Sequence, residues 1–346
     1  AVYAPAIELG ASPASIVMNM PLPISGWRGS NGQDSWPRNY GGSSYAGPET
    51  LRKALVNSHN TAAAQALMTL VGVDNSVAFL HAMGIDDAHI DATPFGLSLG
   101  SSGITPMQMA VAFGVLANGG VYQQPISVLG ISDSTGKVIW DGHQQQERHR
   151  VFSESTAYMV VDMLKQAVSS GTGTNAKIKG QTVAGKTGTV NESGGGNRDV
   201  WMAAYTPELS TAVWMGYDEP DAAHRLPNRV SGGTNPASLA RNFLRAWYTG
   251  RKKPDFTKPK GIVSADIDKK AIEWRGEAML ATSLTPSAYR LNEVFLDGTQ
   301  PKKKSDVWNA PASAKSFSVS HSDDGQPLLV IQASDAAVYR VQRDAA

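Results

Sequence analysis

Three observations predict a chain of helices and antiparallel strands that ends in a small β module. Apolar residues recur three and four apart through much of residues 51–170, the mark of helices with one buried face. After Gly180 the period changes to two, in three short runs separated by turn residues, as in an antiparallel meander. From about residue 305 two more alternating runs flank an Asp324-Gly325 turn.

The elements follow in chain order. "AVYAPAIELG" sets Val2, Ala6 and Leu9 at helical spacing before a stop at Gly10. It has no N-terminal cap and reads as the tail of a helix begun upstream, with Pro5 a strain on it. Residues 19–48, rich in Gly, Pro, Asn and Ser, read as a long ordered loop; Trp27, Trp36 and Tyr40 are expected to pack it, with lining a cleft as the alternative. Leu51, Ala54 and Leu55 open a helix whose face Ser58 continues, and Ala63, Ala66, Leu67 and Leu70 resume the pattern after a break at 58–61. A short helix over about 75–83 stops at Gly84. "TPMQMAVAFGVLANGG" is a buried helix closed by Gly119-Gly120. Val160, Met163, Leu164, Ala167 and Val168 mark another, capped by Ser153. "QTVAGKTGTV", "VWMAAYTP" and "STAVWMGYD" are the meander strands, with Trp201 and Trp214 expected in its core. A helix spans about 236–248, and the basic "RKKPDFTKPK" after it reads as a linker.

Composition narrows the function classes. With 31 Lys+Arg against 30 Asp+Glu, the net charge is +1, which makes no electrostatic case for nucleic acid. There is no cysteine, so there is no disulfide framework and no thiol chemistry. The seven histidines show no metal-type spacing, and His143 and His149 flank a polar loop where they should be solvated. No metal or cofactor is called for. The longest apolar run, Met109 to Ala117, has nine residues, far short of the roughly 20 that span a bilayer. No leader pattern stands at Ala1, so any export signal or anchor is expected outside these residues.

One stretch carries two chemistries. "GQTVAGKT", residues 180–187, fits the phosphate-binding pattern G-x-x-x-x-G-K-[ST], and "KTGT" within "GKTGTV" fits the third motif of the enzymes that react with penicillin. A phosphate loop needs a buried strand before it and a helix starting at the Lys-Thr. Here "GTNAKIK" precedes and the glycine-rich "GTVNESGGGN" follows, so both flanks fail. The second reading needs an S-x-N motif, and Ser58-His59-Asn60 stands in that place, in the break between two helices. It also needs S-x-x-K. The only instance is Ser134-Thr135-Gly136-Lys137, which reads as a hairpin turn and not as the start of a helix.

"YAGPETLRKALVNSHNTAAAQAL", "GLSLGSSGITPMQMAVAFGVLANGGVY", "VAGKTGTVNESGGGNRDVWMAAYTPELSTAVWMGYD" and "EVFLDGTQP" resemble, in order and spacing over about residues 1–301, the transpeptidase domain of class A (bifunctional) penicillin-binding proteins. The resemblance implies an α/β fold of an antiparallel sheet flanked by helices plus a helical lobe, with the cleft between them. It divides the chain into a transpeptidase domain at 1–300, lacking the part that holds S-x-x-K, and a β module at 305–346. Tyr3, Ala4, Ala6, Glu8 and Gly10 fit the family's run that follows S-x-x-K, so the nucleophilic serine is expected just before Ala1.

The implied reaction is serine acyl transfer on the D-Ala-D-Ala end of peptidoglycan stem peptides, blocked by β-lactams, at the extracytoplasmic face of a bacterial membrane. A glycosyltransferase half is expected upstream. Carried over by the resemblance, Ser58 relays a proton between the S-x-x-K lysine and the leaving amine, and Asn60 bonds that lysine or the substrate amide. Lys186 adds positive charge, Thr187 and Thr189 hold the substrate carboxylate, and the Thr189 N–H forms half of an oxyanion hole. Gly188 leaves room for the substrate backbone. His59 receives no role, and Ser58 has the plainer alternative of capping the next helix. A β-lactamase or D,D-carboxypeptidase on the same fold and a non-catalytic wall-binding relative stay open beside the transpeptidase.

Overall fold

The computed structural model describes all of residues 1–346 except 29–30, 43–44, 192–194, 220, 222, 309–313, 322 and 334–346. Helix α1 (Tyr3–Glu8) starts without a side-chain cap. Pro5 falls in its first turn, where a missing N–H costs no helical hydrogen bond, and it is buried with Ala6 and Ile7 while Leu9 is exposed. Strand β1 (Ile16–Asn19) pairs antiparallel with β4 (Gly47–Thr50). The expected loop between them is therefore tied at its base, and it carries a small hairpin of β2 (Ile24–Arg28) and β3 (Asp34–Ser35). Trp27 packs on Phe95 at a 5.0 Å ring separation, whereas Tyr40 is exposed.

Helix α2 (Leu51–Asn57) is capped by the Thr50 side chain and α3 (Asn60–Ala66) follows after two residues. The chain continues through a π-helical turn, Leu67–Val71, into α4 (Val73–Ala82). Helices α5 (Pro94–Leu99) and α6 (Pro106–Ala117) come next, α6 with a capping box between Thr105 and Gln108. No single helix among the described residues is long and apolar enough to cross a membrane.

A short ladder of β5 (Val121–Gln123) with β8 (Arg148–Arg150) encloses the hairpin of β6 (Gly130–Ser132) and β7 (Val138–Asp141). His149 departs from the solvated expectation: its ring stacks on Tyr122 at 4.9 Å and its Nε2 lies 2.8 Å from the Ala82 carbonyl oxygen. Helix α7 (Glu154–Ser169), capped by Ser153, buries Met159, Val160, Met163 and Leu164 in the core it shares with α1, α2, α3 and α6.

The meander is a three-stranded antiparallel sheet in the order β11 (Ser210–Gly216), β10 (Asn197–Tyr205), β9 (Ala184–Asn191). Helix α8 (Asn235–Trp247) covers a second core against this sheet, with Ala237, Ala240 and Leu244 facing Met202 and Ala204. Trp201 and Trp214 are cross-strand neighbours, half-buried on the sheet face and not in the core. The Trp214 indole reaches the Asp199 carboxylate at 2.9 Å, a polar anchor that keeps the ring at the wet side of the sheet. The expected linker is also packed: Phe256 meets Tyr205 edge-on at 5.8 Å.

Strands β12 (Ile262–Asp268) and β13 (Arg290–Leu296) pair around α9 (Lys269–Arg275) over a small core of Ala14, Ile267, Ile272 and Phe295. The Ser305 N–H bonds the Leu280 carbonyl of this unit. Strands β14 (Ala314–His321) and β15 (Pro327–Ala333) form the hairpin around Asp324-Gly325; the run "AAVYRVQRD" lies outside the described residues. The architecture is the α/β arrangement of a helix-flanked antiparallel sheet and a helical lobe.

Candidate active site

The break between α2 and α3 places Ser58 against the sheet. Ser58 does not continue the face of α2. It terminates that helix at φ 58° and ψ 46°, and it is the one non-glycine residue with positive φ among those described. A left-handed conformation costs an L-residue roughly 1–2 kcal/mol, so it persists only where its surroundings hold it. The next helix takes His59 as its N-cap residue, without a side-chain capping bond. The Ser58 hydroxyl is thus free of capping duty and accepts a hydrogen bond from Lys186 Nζ at 2.7 Å.

Lys186 reaches Ser58 from β9, across 128 positions of sequence. Its ammonium also donates to the Thr187 carbonyl at 3.0 Å, and no carboxylate among the described residues lies within salt-bridge distance. Burial without a counter-charge pushes the lysine down from 10.5 to about 8. The folded value lies below the unfolded one. The cost of holding the charge is therefore paid below about pH 8 and relieved as pH climbs toward 10.5.

The other motif residues surround this contact. The Thr187 hydroxyl shares a 2.7 Å hydrogen bond with that of Thr172, which leaves one O–H of the pair free to donate. The Thr189 hydroxyl accepts from the Gly232 N–H at 3.0 Å and keeps its own O–H. Gly188 stands opposite Trp201 in the ladder. A Cβ there would come within 3.2 Å of the Trp201 Cβ, and one on Gly232 within 2.4 Å of the Gly188 carbonyl. Gly232 lets the 231–234 turn lie against the strand at Gly188, whereas a side chain on Gly188 would crowd Trp201. Among the described residues β9 ladders with β10 alone, so its outer edge has main-chain groups unused by the sheet.

Asn60 is not brought to Lys186. Its side-chain amide donates to the Arg38 carbonyl at 2.7 Å, and its N–H donates to the Asn39 side chain at 2.8 Å, which ties the long loop to the start of α3. Sequence reasoning missed Thr172 and Gly232, whose only signal was their place in the small-residue runs "GTGT" and "SGGT". It also missed His59, which contacts buried Glu49.

Two sequence look-alikes are set aside by geometry. After Lys186-Thr187 the chain continues as strand to Asn191, so no helix starts at the Lys-Thr as a phosphate loop requires. Isothermal titration with ATP is expected to show no binding at micromolar concentration; binding lost on Lys186→Ala would revive the phosphate reading. Ser134 sits in the exposed turn between β6 and β7, where the Gly136 N–H bonds the Asp133 carbonyl.

Comparison with known proteins gives the family. Residues 23–245 match the family described as "Penicillin binding protein transpeptidase domain", and residues 258–310 match "Penicillin-binding protein 1A, C-terminal domain". Penicillin-binding protein 1F of Bacillus subtilis is 38% identical over 236 residues, 66% of this chain and 31% of the relative. Penicillin-binding protein 1A/1B of the same organism is 31% identical over 306 residues, 83% of this chain and 32% of the relative. The chain thus spans about a third of the length of the curated relatives it matches. The crystal structure of penicillin-binding protein 1A from Haemophilus influenzae superposes with a TM-score of 0.70 at 25% identity, covering 88% of this chain and 47% of that one.

Proposed function

The chain belongs to the penicillin-binding protein transpeptidase family, and from that premise we propose that it forms most of the D,D-transpeptidase half of a bifunctional cell-wall synthase. The observation that carries this reading is the hydrogen bond from unpaired, desolvated Lys186 to the Ser58 hydroxyl. It supplies a proton path and a positive charge on one side of a cleft, beside two threonines with O–H groups to spare.

In the proposed reaction a serine of an S-x-x-K motif, outside residues 1–346, attacks the carbonyl of the penultimate D-Ala of a stem peptide. The serine Oγ–C bond forms, the peptide C–N bond breaks, and terminal D-Ala leaves as an amine. Ser58 passes the proton taken from the nucleophile to that amine. Lys186 keeps the neighbouring lysine neutral by repulsion and attracts the substrate carboxylate, which Thr187 and Thr189 hold by their hydroxyls. The peptide adds as a strand to the open edge of β9, beside Gly188, and the Thr189 N–H supports the oxyanion. Asn60, given its bond to Arg38, acts first on the loop and offers its side-chain oxygen to the substrate side. Residues 1–300 form the transpeptidase portion and 305–346 an appended β module. The work is done outside the cytoplasm on peptidoglycan, with an anchor and a glycosyltransferase elsewhere in the protein.

Fluorescent penicillin tests the reading. The full-length protein should be labelled covalently at an S-x-x-K serine and protected by unlabelled β-lactam, while residues 1–346 alone stay unlabelled. Labelling of the isolated chain would mean that its nucleophile lies inside it. No labelling of the full-length protein would favour the non-catalytic wall-binding alternative. Rapid deacylation, read as β-lactam turnover, would favour a β-lactamase.

The pH profile gives a second check. The role proposed for Lys186 needs its charged form. Acylation should therefore fall as pH rises through about 8. Lys186→Arg cannot lose its proton in that range, so it should flatten this alkaline limb even if it lowers the rate. An unchanged limb in the arginine variant assigns the titration to another group.

A further inference from the structure

The turn that carries Ser58 is held from behind by buried polar groups to which the proposed reaction gives no part. Glu49, the third residue of β4, is 1% exposed. Its Oε1 lies 2.6 Å from His59 Nδ1. Its Oε2 has no hydrogen-bond partner, and the Lys53 ammonium is 3.9 Å away. The His59 ring is thus the one side-chain hydrogen-bonding contact of this carboxyl among the described residues. His59 Nδ1 is also 3.0 Å from the Asn19 side-chain nitrogen, a contact and not a second hydrogen bond while the Nδ1–H donates to Glu49. Asn19 is oriented by its other end, where Oδ1 accepts from Asn39 at 2.8 Å and from the Thr61 hydroxyl at 2.7 Å. The Asn39 side-chain oxygen in turn accepts the Asn60 N–H at 2.8 Å.

This chain of contacts has a definite mechanical effect. Glu49 lies just before α2 and His59 just after it, so their contact clips the two ends of a seven-residue helix to each other. Ser58 is the residue between that helix and the clip. Its left-handed backbone is closed by two main-chain bonds, from the Ser58 N–H to the Leu55 carbonyl at 3.2 Å and from the His59 N–H to the Ala54 carbonyl at 3.0 Å; the Glu49 contact fixes the residue that makes the second bond, so its release would loosen the turn and swing the hydroxyl off Lys186. An uncompensated carboxyl in a core is also costly. A contact that served packing alone would be made more simply by two apolar side chains.

We propose that Glu49 and His59 are a positioning pair, which holds Ser58 in its left-handed conformation so that the hydroxyl stays on Lys186. The proposal rests on the transpeptidase reading for its catalytic consequence, but its geometric content stands apart from it.

The experiment uses the full-length protein and the double variant Glu49→Leu/His59→Leu, which removes both polar groups together and so leaves no orphaned charge. Three quantities are measured: thermal melting, β-lactam acylation resolved into non-covalent Kd and acylation rate constant, and the NMR titration of the Lys186 methylene next to Nζ. The expected result is a folded protein whose Kd holds within about threefold while the acylation rate constant falls about tenfold or more, as small misplacements of a reacting group do. The Lys186 midpoint should move up from about 8 toward 10.5 as the displaced turn admits water. Glu49→Gln, which keeps an oxygen facing the ring, should restore most of the rate.

A parental acylation rate with an unmoved Lys186 midpoint overturns the proposal, as does a rate that falls only in step with the folded fraction. Should the double variant not fold, His59→Asn carries the same three measurements. If penicillin labels neither parent nor variant, the transpeptidase reading has failed. The Lys186 titration then still decides whether the pair positions Ser58.

Discussion

Lys186→Ala in the full-length protein is expected to slow β-lactam acylation about a hundredfold while changing folding stability by less than about 1 kcal/mol. The two halves of this expectation have separate causes. Lys186 stands on a strand that pairs on one side only among the described residues, and its hydrogen bonds go to Ser58 and to the carbonyl of its own neighbour. Removing it deletes no core contact, and it relieves the desolvation that pushes the lysine down to about 8. In the transition state of the proposed reaction the same charge would face the substrate carboxylate and the second lysine in a partly dry site. One electrostatic partner there is worth on the order of 3 kcal/mol. Ser58→Ala should lose a comparable factor by breaking the proton path to the leaving amine. Ser58→Gly should keep the fold better than Ser58→Ala, because glycine adopts the left-handed backbone without penalty, yet acylate as slowly. Rate constants within about twofold of the parent for Lys186→Ala, or melting that falls together with activity, would make Lys186 a structural residue.

The part of this site that was legible in the sequence is the part fixed by local spacing. Lys186-Thr187-Gly188-Thr189 alternates as a strand, and Ser58-His59-Asn60 falls at a helix break; the fold brings these two segments together. What the sequence hid depends on backbone geometry and on distant partners. Ser58 continues the apolar spacing of α2 and also opens the break at 58–61, so spacing alone allows both places; the close at Asn57 and the left-handed φ show that it ends the helix. His59 receives no role from the sequence because its partner, Glu49, is ten residues back on a strand containing Gly47 and Pro48. Those two residues argue against a strand by propensity, which also hid the pairing of β1 with β4. Thr172 and Gly232 are small residues whose role arises from where the sheet puts Thr187 and Thr189. Aromatic residues in a meander are usually core, but Trp214 is half-buried with its indole bonded to Asp199, and Trp201 lies beside it at 6.4 Å.

The largest loss of stability is expected far from the chemistry, at Arg52. This residue of α2 is 6% exposed, and Glu293 of β13 is fully buried beside it. The guanidinium is bidentate to Glu293, donates to the Asp162 carboxylate at 2.7 Å, and reaches the Asp162 carbonyl and the Gln166 side chain at 3.3 Å each. Burial alone would push the guanidinium down, but the bonds and charges of Glu293 and Asp162 outweigh it and push it up from its ordinary value. The cluster ties α2 to α7 and to the β12–β13 unit. Arg52→Ala leaves Glu293 charged or protonated in the interior with no partner of equal reach, a change that costs about 3–5 kcal/mol. For a domain of this size the loss should appear as a drop of roughly 10 °C in melting temperature. Asp162, which is partly exposed, can turn to water and adds little to the loss. The paired replacement Arg52→Met/Glu293→Leu removes both buried charges and should recover more than half of it, because the penalty lies in the orphaned carboxylate and not in the absence of an attraction. If Arg52→Ala melts within about 2 °C of the parent, water reaches Glu293 and the cluster is no clasp. If the paired variant melts no higher than the single one, the bidentate geometry itself joins α2 to β13, and the end of α2 that carries Ser58 depends on it.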